Sequence, residues 1–550
     1  WQLEIECRKK DIQSNFFSFE GCQNRLLIVT KMKLLLGITS LFITSSLAFT
    51  GWSNTQSSRR STSIREAPTS VANLESAFDS CRSDITKTCN VAVGVSSATG
   101  RLGLIATSNI RKGDIVLNMP YDDRYQLSAA TARNEVFKGI LSDKYEGWTG
   151  DTGLIALMLL NEVARVDGTG VARPQRPSNL QSFMEAWVQS LPSPDELKEG
   201  HPLMWSEVDQ EVLQSSSNTK IYQKLDDLEE DATWLIENIF SKDRKTFPET
   251  VQLNGQEIPC FSVKGYAWAM ALTQSRAVFV DTKLRLLPMF DFCNHDDGAV
   301  EISGGYMGTF KTTQGAQLQA NRAYKEGEEV FCSYGPKSAT DYLLEHGFCP
   351  PLCWKTAVSE ITVELDPEDR FYEDKLDILE FETYDQAPMD PSQSFDVVSV
   401  PGRDGEPDPA MIQFARLRSL GGQDAFLLES IFRKETWGFM SLPVSEPNEL
   451  AVVTSICGLI EKALEELQQC PEGGPEVCTQ LRESETKALK RTLEYLEREK
   501  QALDLKEYYQ ERRLKDLGLD SEWSPEEDMG MGEDMGFGAT RAPGGADYDF

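Results

Sequence analysis

Two polar clusters set into apolar sequence carry the residues that could do chemistry. Asp291, Asn294 and His295 interrupt the apolar run that begins at Leu286, where an unpartnered polar side chain is costly to bury. Further along, a short β-like run ends in Tyr334 followed by glycine, which places a phenol beside a close approach of the backbone. Taken alone, Asn294 and His295 are better explained by a buried polar network that fixes a turn.

The sequence offers no residue set typical of a hydrolase or a nucleotide-binding enzyme. Its three histidines, His201, His295 and His346, have no nucleophile motif beside them. The glycine-containing segment 100–106 does not match the dinucleotide fingerprint, and the regions expected to fold contain no Walker loop. This pattern is compatible with group transfer to an amine, which needs no covalent intermediate.

Taken together and in order, the two clusters become informative. Asp-x-x-Asn-His, Gly-Glu-Glu at 327–329, Tyr-Gly at 334–335 and Gly-Phe at 347–348 resemble the C-terminal half of a SET-domain methyltransferase. The spacing and the neighbouring Leu-Leu-Pro-Met-Phe-Asp at 286–291 are most similar to the Rubisco large-subunit methyltransferase group. The resemblance implies an α+β protein, with a knotted β-rich SET domain split by a helical insert and followed by an all-α domain. It also implies that S-adenosylmethionine binds beside a narrow channel for an amine side chain.

The resemblance assigns roles to individual residues. It makes Tyr334 the catalytic residue. It implies cofactor binding by Gly100, Arg101, Leu102, Arg276, Asn294, His295 and Tyr334. It implies substrate binding by Arg276, Asp291, Tyr306 and His346. It implies no metal.

Three positions depart from the family pattern. Ala339 follows Ser338 where the family has asparagine, which removes one polar contact near the cofactor. His346 replaces the aromatic residue often found before Gly-Phe, so one wall of the amine pocket changes. The segment 277–280 after Arg276 lacks a second arginine for the substrate backbone. These departures leave methyl transfer as the expected reaction and leave the protein substrate open.

The predicted organisation has four parts. Residues 1–72 are upstream sequence plus a targeting presequence. Residues 73–350 form the SET domain, with a mostly helical insert at about 122–260, residues 351–520 form a helical substrate-binding domain, and the acidic segment 521–550 is expected to be disordered.

Helix signals add detail to this organisation. We expect Thr152 to cap a helix that is apolar all round from Leu154 to Leu160. Residues 206–240 alternate charged and apolar at helical spacing, as on a solvated face, although in the family the insert covers the substrate channel. Asp408 and Pro409 predict a helix start, and Thr479 to about Asp516 predicts one long amphipathic helix.

The N-terminal residues predict targeting to a plastid. The first Met is Met32, and the apolar run to Leu47 has the length of a signal-peptide core, with Ala48 before a cleavage site and Phe49 after it. Residues 50–72 are rich in Ser and Thr and basic. This order resembles the bipartite presequence of algae with secondary plastids, so we expect the plastid stroma, with secretion as the alternative. Residues 1–31 are then upstream of the true product.

Composition limits the partners. The net charge of −32 argues against nucleic-acid binding, which needs clustered Lys and Arg. The twelve cysteines include no Cys-x-x-Cys pair, so we expect reduced or buried thiols. We expect a monomer without stable membrane insertion that methylates an exposed lysine of Rubisco large subunit or another stromal protein. A protein-histidine methyltransferase and a non-catalytic SET-like binding module are the alternatives.

Overall fold

The computed structural model describes residues 69–519 with several internal gaps. The gaps are 142–146, 148, 174–175, 215–218, 308–312, 352, 354–356, 381–387, 400–404 and 471–472. The predicted signal and transit segments within residues 1–68 and the predicted disordered tail 521–550 lie outside the described residues.

The first elements are one helix and five short strands. They are helix α1 (Thr69–Ile85) and strands β1 (Thr88–Cys89), β2 (Val91–Val95), β3 (Leu102–Ala106), β4 (Ile115–Pro120) and β5 (Leu127–Ser128). Val71, Leu74 and Phe78 of α1 are buried in the core. The expected boundary between residues 72 and 73 therefore falls inside a helix that packs with the folded protein.

Helices dominate the segment that follows β5. They are α2 (Ala129–Thr131), a π-turn (Ala132–Val136), α3 (Gly150–Val166), α4 (Ser178–Ser190), α5 (Pro194–Leu197), α6 (Glu207–Gln214) and α7 (Thr219–Asn238), with 3-10 turns at Pro202–Met204 and Phe240–Lys242. A hairpin of β6 (Thr250–Leu253) and β7 (Gln256–Pro259) ends the segment. This segment is mostly helical, and it contains one β-hairpin that the helical prediction did not include.

The apolar run in α3 is buried on every side, from Gly153 to Ala164. The predicted cap at Thr152 is wrong, because the helix begins at Gly150, two residues earlier. Thr149 precedes it, and its hydroxyl contacts Asp231 and Tyr266 rather than capping the helix. The helix packs on α8 (Val263–Arg276), which Ser262 caps.

The second group of strands follows α8 and completes the sheets that the first strands begin. They are β8 (Val278–Val280), β9 (Lys283–Leu286), β10 (Asn294–His295), β11 (Ser303–Met307), β12 (Thr313–Gln319) and β13 (Glu329–Cys332), with a 3-10 turn at Phe290–Phe292 and helix α9 (Ala339–His346). These strands form small sheets with the order β1-β4-β12-β11, β10-β13-β3-β2 and β5-β9-β8. N-terminal and C-terminal segments therefore share sheets, and this brings residues 102 and 294 together.

The C-terminal domain is mainly helical. It contains β14 (Ala357–Glu364), α10 (Tyr372–Glu380), β15 (Ser392–Ser399), α11 (Pro409–Arg418), α12 (Thr436–Phe439), α13 (Glu446–Gln468), α14 (Glu476–Gln501) and α15 (Tyr509–Asp516), with 3-10 turns at Gly422–Leu428 and Leu503–Leu505. Asp408 caps α11 as predicted. Two features differ from expectation. β14 and β15 pair over eight residues, and the predicted single helix 479–516 is broken after Gln501.

One small core connects the insert, α9 and the C-terminal domain. Val212 and Leu213 of α6 pack with Leu343 of α9 and with Leu481 of α14. None of the described helices has both the length and the apolar character needed to cross a membrane. The ten described cysteines are all free thiols.

Candidate active site

The site is organised by two neighbouring parallel strands. β10 pairs with β13 in the register Asn294 to Phe331 and His295 to Cys332, so the chain leaving β13 passes beside His295. The backbone N–H of Tyr334 donates to Nδ1 of His295 over 3.1 Å. Because Nδ1 accepts, the neutral imidazole carries its proton on Nε2, which lies 3.1 Å from Oδ1 of Asp297.

Asn294 ties the N-terminal hairpin to the same strand. Its Nδ2 donates to the carbonyl of Leu102 and to Oε1 of Glu329, each over 2.7 Å. The other Glu329 oxygen accepts from Thr99 at 3.1 Å. A Cβ at Gly103 would lie 2.5 Å from the Glu329 carboxylate, so only glycine permits this approach. Glu329 was not predicted as a site residue, although it lies in the quoted Gly-Glu-Glu motif.

Tyr334 is fixed at both ends. Its hydroxyl donates to the carbonyl of Cys293 over 2.9 Å, and its ring lies among those of His295, His346 and Phe348. Burial raises the pKa of Tyr334 well above its ordinary value. The side chain therefore stays a neutral phenol whose oxygen can still accept a hydrogen bond.

Arg276 and Asp291, both candidate site residues, form an ion pair. Nη1 of Arg276 donates to the backbone oxygen and to Oδ2 of Asp291 at 3.1 and 3.2 Å. The indole N–H of Trp187, in α4 of the insert, donates to the same Oδ2 at 3.1 Å. Burial raises the pKa of Asp291, and Arg276 and Trp187 oppose that rise. The second oxygen, Oδ1, is buried and has no hydrogen-bond partner among the described residues.

His346 is another residue of the wall that contains Arg276 and Asp291. Its ring centroid lies 4.5 Å from that of Tyr334. Nδ1 lies 3.4 Å from the carbonyl of Ser275, which requires the proton on Nδ1 and leaves Nε2 as an acceptor. In the part of the chain that the structure describes, buried Nε2 has no hydrogen-bond partner, and the nearest carboxylate oxygen, Oε2 of Glu345, lies 3.9 Å away. Burial lowers the pKa of His346 to about 4, so the imidazole is neutral near pH 7.

A cavity of about 450 Å³ adjoins these residues. Of the predicted site residues, its wall contains Arg276, Asp291, Tyr334 and His346. Gly100, Arg101, Leu102, Asn294 and His295 are not part of this wall. Tyr334 joins the two groups, since its backbone contacts His295 and its side chain lines the cavity. The backbone of Tyr306 pairs with Gln314, and its side chain lies outside the described residues.

The cavity wall also holds charged residues that sequence reasoning missed. Glu345 of α9 pairs with Lys337 at 2.8 Å and with Lys224 at 3.5 Å. Asp227 and Glu301 line the cavity without an ion-pair partner within the described ranges. Burial and the neighbouring carboxylates of α7 raise the pKa of Asp227. Lys224 and Asp227 lie in the segment interpreted as a solvated face, and both are half-buried where they line the cavity.

Comparison with known proteins identifies the family. The SET-domain family model matches residues 101–335, and the Rubisco LSMT substrate-binding model matches residues 366–514. The chain belongs to the SET-domain protein methyltransferases of the Rubisco large-subunit methyltransferase group. Its fold class, its enzyme class and S-adenosylmethionine as the cofactor are confirmed.

Relatives of this methyltransferase include two chloroplast enzymes. It is 28% identical over 457 residues to the ribulose-1,5-bisphosphate carboxylase/oxygenase large-subunit N-methyltransferase of Pisum sativum, covering 78% of this chain and 83% of that protein. It is 29% identical over 442 residues to the fructose-bisphosphate aldolase-lysine N-methyltransferase of Arabidopsis thaliana, covering 76% and 82%. The actin-histidine N-methyltransferase of Homo sapiens is 26% identical over 295 residues, which is 50% of this chain and 42% of that one.

Solved structures agree with this assignment. The SET domain of LSMT bound to lysine and AdoHcy superposes with a TM-score of 0.65 at 25% identity, covering 84% of this chain and 98% of that one. Rubisco LSMT bound to AdoMet superposes with a TM-score of 0.63 at 25% identity, covering 84% and 99%.

The site of the methyltransferase fits a cationic sulfonium cofactor. Two groups at Tyr334 can attract a cation, namely the carbonyl oxygen of Cys293 and the face of the Tyr334 ring. The absence of a side chain at Gly103 leaves the Leu102 backbone close to Asn294 and Glu329.

Proposed function

We propose that this methyltransferase transfers a methyl group from S-adenosylmethionine to the side-chain amine of a lysine in a plastid protein, either Rubisco large subunit or another stromal protein. One observation carries the proposal. The buried phenol of Tyr334 lies in the wall of a cavity that also contains Asp291 and His346, each with a buried acceptor atom that no described residue satisfies. A nitrogen that carries hydrogens supplies the donors that these atoms lack.

The acceptor nitrogen must lose its charge before it attacks. An unperturbed lysine has a pKa of about 10.4, and burial together with the positive charge of the cofactor lowers it. When bound, the cofactor supplies an electrophilic methyl group on a sulfonium. The protein's part is positioning. The phenol of Tyr334 is held by Cys293, and its free lone pair can orient the amine.

We assign the remaining residues to a cofactor side and an acceptor side, with Tyr334 between the two. On the cofactor side, Gly100, Arg101, Leu102, Asn294 and His295 hold the ligand through backbone groups. Their support is the network that links Leu102, Asn294 and Glu329. Arg276 serves both sides. On the acceptor side we place Asp291, His346 and Tyr306.

Charge favours an ammonium ligand on the acceptor side. The cavity wall holds four carboxylates, those of Asp227, Asp291, Glu301 and Glu345, against three cations, Lys224, Arg276 and Lys337, so its formal charge is −1. Asp227 and Glu301 are the two of these carboxylates that have no ion-pair partner among the residues described. Their field raises the local concentration of a lysine side chain before it is deprotonated.

A plastid location rests on the chloroplast relatives and on the presequence pattern. The lysine-directed relatives cover over three quarters of the chain, whereas the human actin-histidine enzyme covers half. Lysine is therefore favoured over histidine.

Labelling of a plastid lysate tests the proposal. Residues 64–550, which retain the whole of α1, are incubated with labelled S-adenosylmethionine and the lysate, and the labelled residue is identified by mass spectrometry. Label on a lysine of a stromal protein supports the proposal. Label on histidine supports the histidine alternative, and a folded protein that labels nothing supports the non-catalytic module.

A further inference from the structure

We propose that Phe279 is a docking point for a large apolar side chain of the protein substrate, close in sequence to the lysine that is methylated. This inference rests on the proposed function, because it assigns the cavity to the reacting lysine. It adds a preference of the enzyme for particular residues beside that lysine.

Phe279 combines high exposure with a place in the cavity wall. Its side chain is 69% exposed, whereas the other cavity-lining aromatics Phe290, Tyr334 and His346 are buried or partly buried. Its cross-strand partner Leu284 and its neighbour Val278 also line the cavity. The exposed ring therefore continues the apolar part of the wall outward into solvent, and aromatic rings in this situation are frequent anchors in protein interfaces.

The hairpin that carries Phe279 is held in place. Asp281 and Thr282, which connect β8 to β9, both have positive φ, 49° and 62°, a conformation that non-glycine residues adopt only where the surroundings enforce it. Tyr121 donates to Oδ2 of Asp281 over 2.7 Å. A Cβ at Gly304 would lie 2.0 Å from the same carboxylate, so the glycine makes room for it.

A second anchor lies on β9. The guanidinium of Arg285 lies 4.1 Å from the ring centroid of Tyr121 and donates to Gln126 over 2.9 Å. The hairpin is thus fixed to the rest of the chain at its turn and at β9. An exposed aromatic on a fixed support loses little conformational freedom when a ligand covers it, which favours its use in recognition.

Continuity and charge identify the occupant. Phe279 and Tyr334 line the same cavity, so we assign Phe279 to the ligand whose lysine enters that cavity. Asp227 and Glu301 in this wall favour a positively charged ligand, which matches a segment that carries lysine. We therefore place the side chain that covers Phe279 among the residues that flank the lysine in sequence.

A positional-scanning peptide library tests the inference. Each peptide has a fixed central lysine and one fixed flanking residue, and labelled S-adenosylmethionine reports transfer. The wild-type protein should prefer Leu, Ile, Met or Phe over Ser or Asp at one flanking position, by about tenfold in kcat/KM. Phe279→Ala should reduce this preference to about twofold by raising KM with kcat unchanged, and Phe279→Leu should retain most of it.

A matched control separates recognition from a general surface effect. Ile431 is 75% exposed and lies in the C-terminal domain, away from the cavity wall, so Ile431→Ala should behave as the wild type. Kinetics with free lysine should be the same in all four proteins, since free lysine has no flanking residue.

The outcomes distinguish this inference from the proposed function. Transfer to lysine peptides without any flanking preference, or a preference that survives Phe279→Ala, overturns the inference and leaves the function intact. A wild-type protein that labels stromal protein and no peptide also overturns it, because a side-chain preference read by Phe279 acts on flexible peptides. A wild-type protein that transfers methyl groups to neither lysine peptides, free lysine nor stromal protein overturns both.

Discussion

The backbone amide of Tyr334 donates to Nδ1 of His295 over 3.1 Å, and the two rings lie 5.1 Å apart. Through this bond, the position of Tyr334, which follows β13, depends on the side chain of His295 at the end of β10. Since Nε2 of the same imidazole contacts Asp297, the ring is held from both nitrogens. The position of the phenol is therefore set by the strand pair that also carries Asn294.

Tyr334→Phe should lower the turnover number by a factor on the order of 100, because loss of the hydroxyl leaves the acceptor nitrogen poorly oriented. Loss of the bond to Cys293 should cost only about 1 kcal/mol of stability. Cofactor affinity should change little, since the ring face remains. Turnover, melting temperature and calorimetric titration of the variant measure the three quantities.

Tyr342→Phe is the control for this change. The Tyr342 hydroxyl also donates to a backbone carbonyl, that of Gly335, over 2.6 Å, and the residue is not part of the cavity wall. It should lose similar stability and keep its turnover. Equal turnover in the two variants would show that Tyr334 acts only in packing.

Glu329→Ala should weaken cofactor binding by about 10-fold or more, as removal of a residue that orients a ligand-binding side chain commonly does. The carboxylate accepts from both Asn294 and Thr99, and without it the Asn294 amide keeps only its bond to the Leu102 carbonyl. Isothermal titration with S-adenosylmethionine measures the effect.

Glu328→Ala provides the neighbouring control. Glu328 is exposed at the loop and contacts Arg322 and Lys325, so its loss should leave cofactor affinity unchanged. Glu329→Gln should fall between the two, because one amide oxygen can still accept from Asn294. Unchanged binding in Glu329→Ala would remove Glu329 from the cofactor network.

The sequence named candidate site residues but not the groups they contact. Asp291, Asn294, His295 and Tyr334 were assigned because they match the spacing of the family motifs. Trp187 lies 104 positions before Asp291, and nothing local to either residue indicates that the indole donates to that carboxylate. Such contacts depend on how the helical insert packs against the rest of the chain. Helix propensity and hydrophobic periodicity carry no information about that packing.

The same limit explains the errors in the fold. The helix predicted at 479–516 is broken after Gln501, yet residues 500–510 contain neither glycine nor proline. The break follows from the packing of Leu503 into a buried position and from the contacts of Lys506 with Glu449 and Glu499. β15 alternates exposed and half-buried positions over Ser392–Asp396, and its polar composition hid the strand.

Residues 32–72 fused to a fluorescent protein should reach the plastid of an alga with a secondary plastid. Phe49→Ala should keep the fusion in the secretory route, because the signal peptide still acts and the residue exposed after cleavage no longer suits plastid import. Fluorescence microscopy of the two fusions gives the answer. Arrival of the Phe49→Ala fusion in the plastid would contradict the bipartite interpretation.

Folding stability should fall as the pH is lowered from about 6.5 to about 4. Burial lowers the pKa of both His201 and His346 to about 4 in the folded protein, against about 6.5 in the unfolded chain. In that window the unfolded state binds protons that the folded state does not. Stability therefore rises with pH across it, by up to about 3 kcal/mol for each histidine. Urea unfolding between pH 4 and pH 7.5 measures the slope.

Carboxylates change the folding stability in a separate, more acidic pH range. The Arg176, Arg173 and Arg165 side chains around Glu162 lower its pKa to about 2, so its contribution is present above the unfolded value of about 4.5 and is lost as the pH falls towards 2.

His201→Gln should flatten the slope between pH 4.5 and 6.5 and leave the acid limb unchanged. Glu162→Gln should destabilise the protein at neutral pH by about 3–5 kcal/mol, because it leaves buried guanidinium groups without their anion. A slope that His201→Gln does not alter would show that His201 takes up its proton over the same pH range in the folded and unfolded protein.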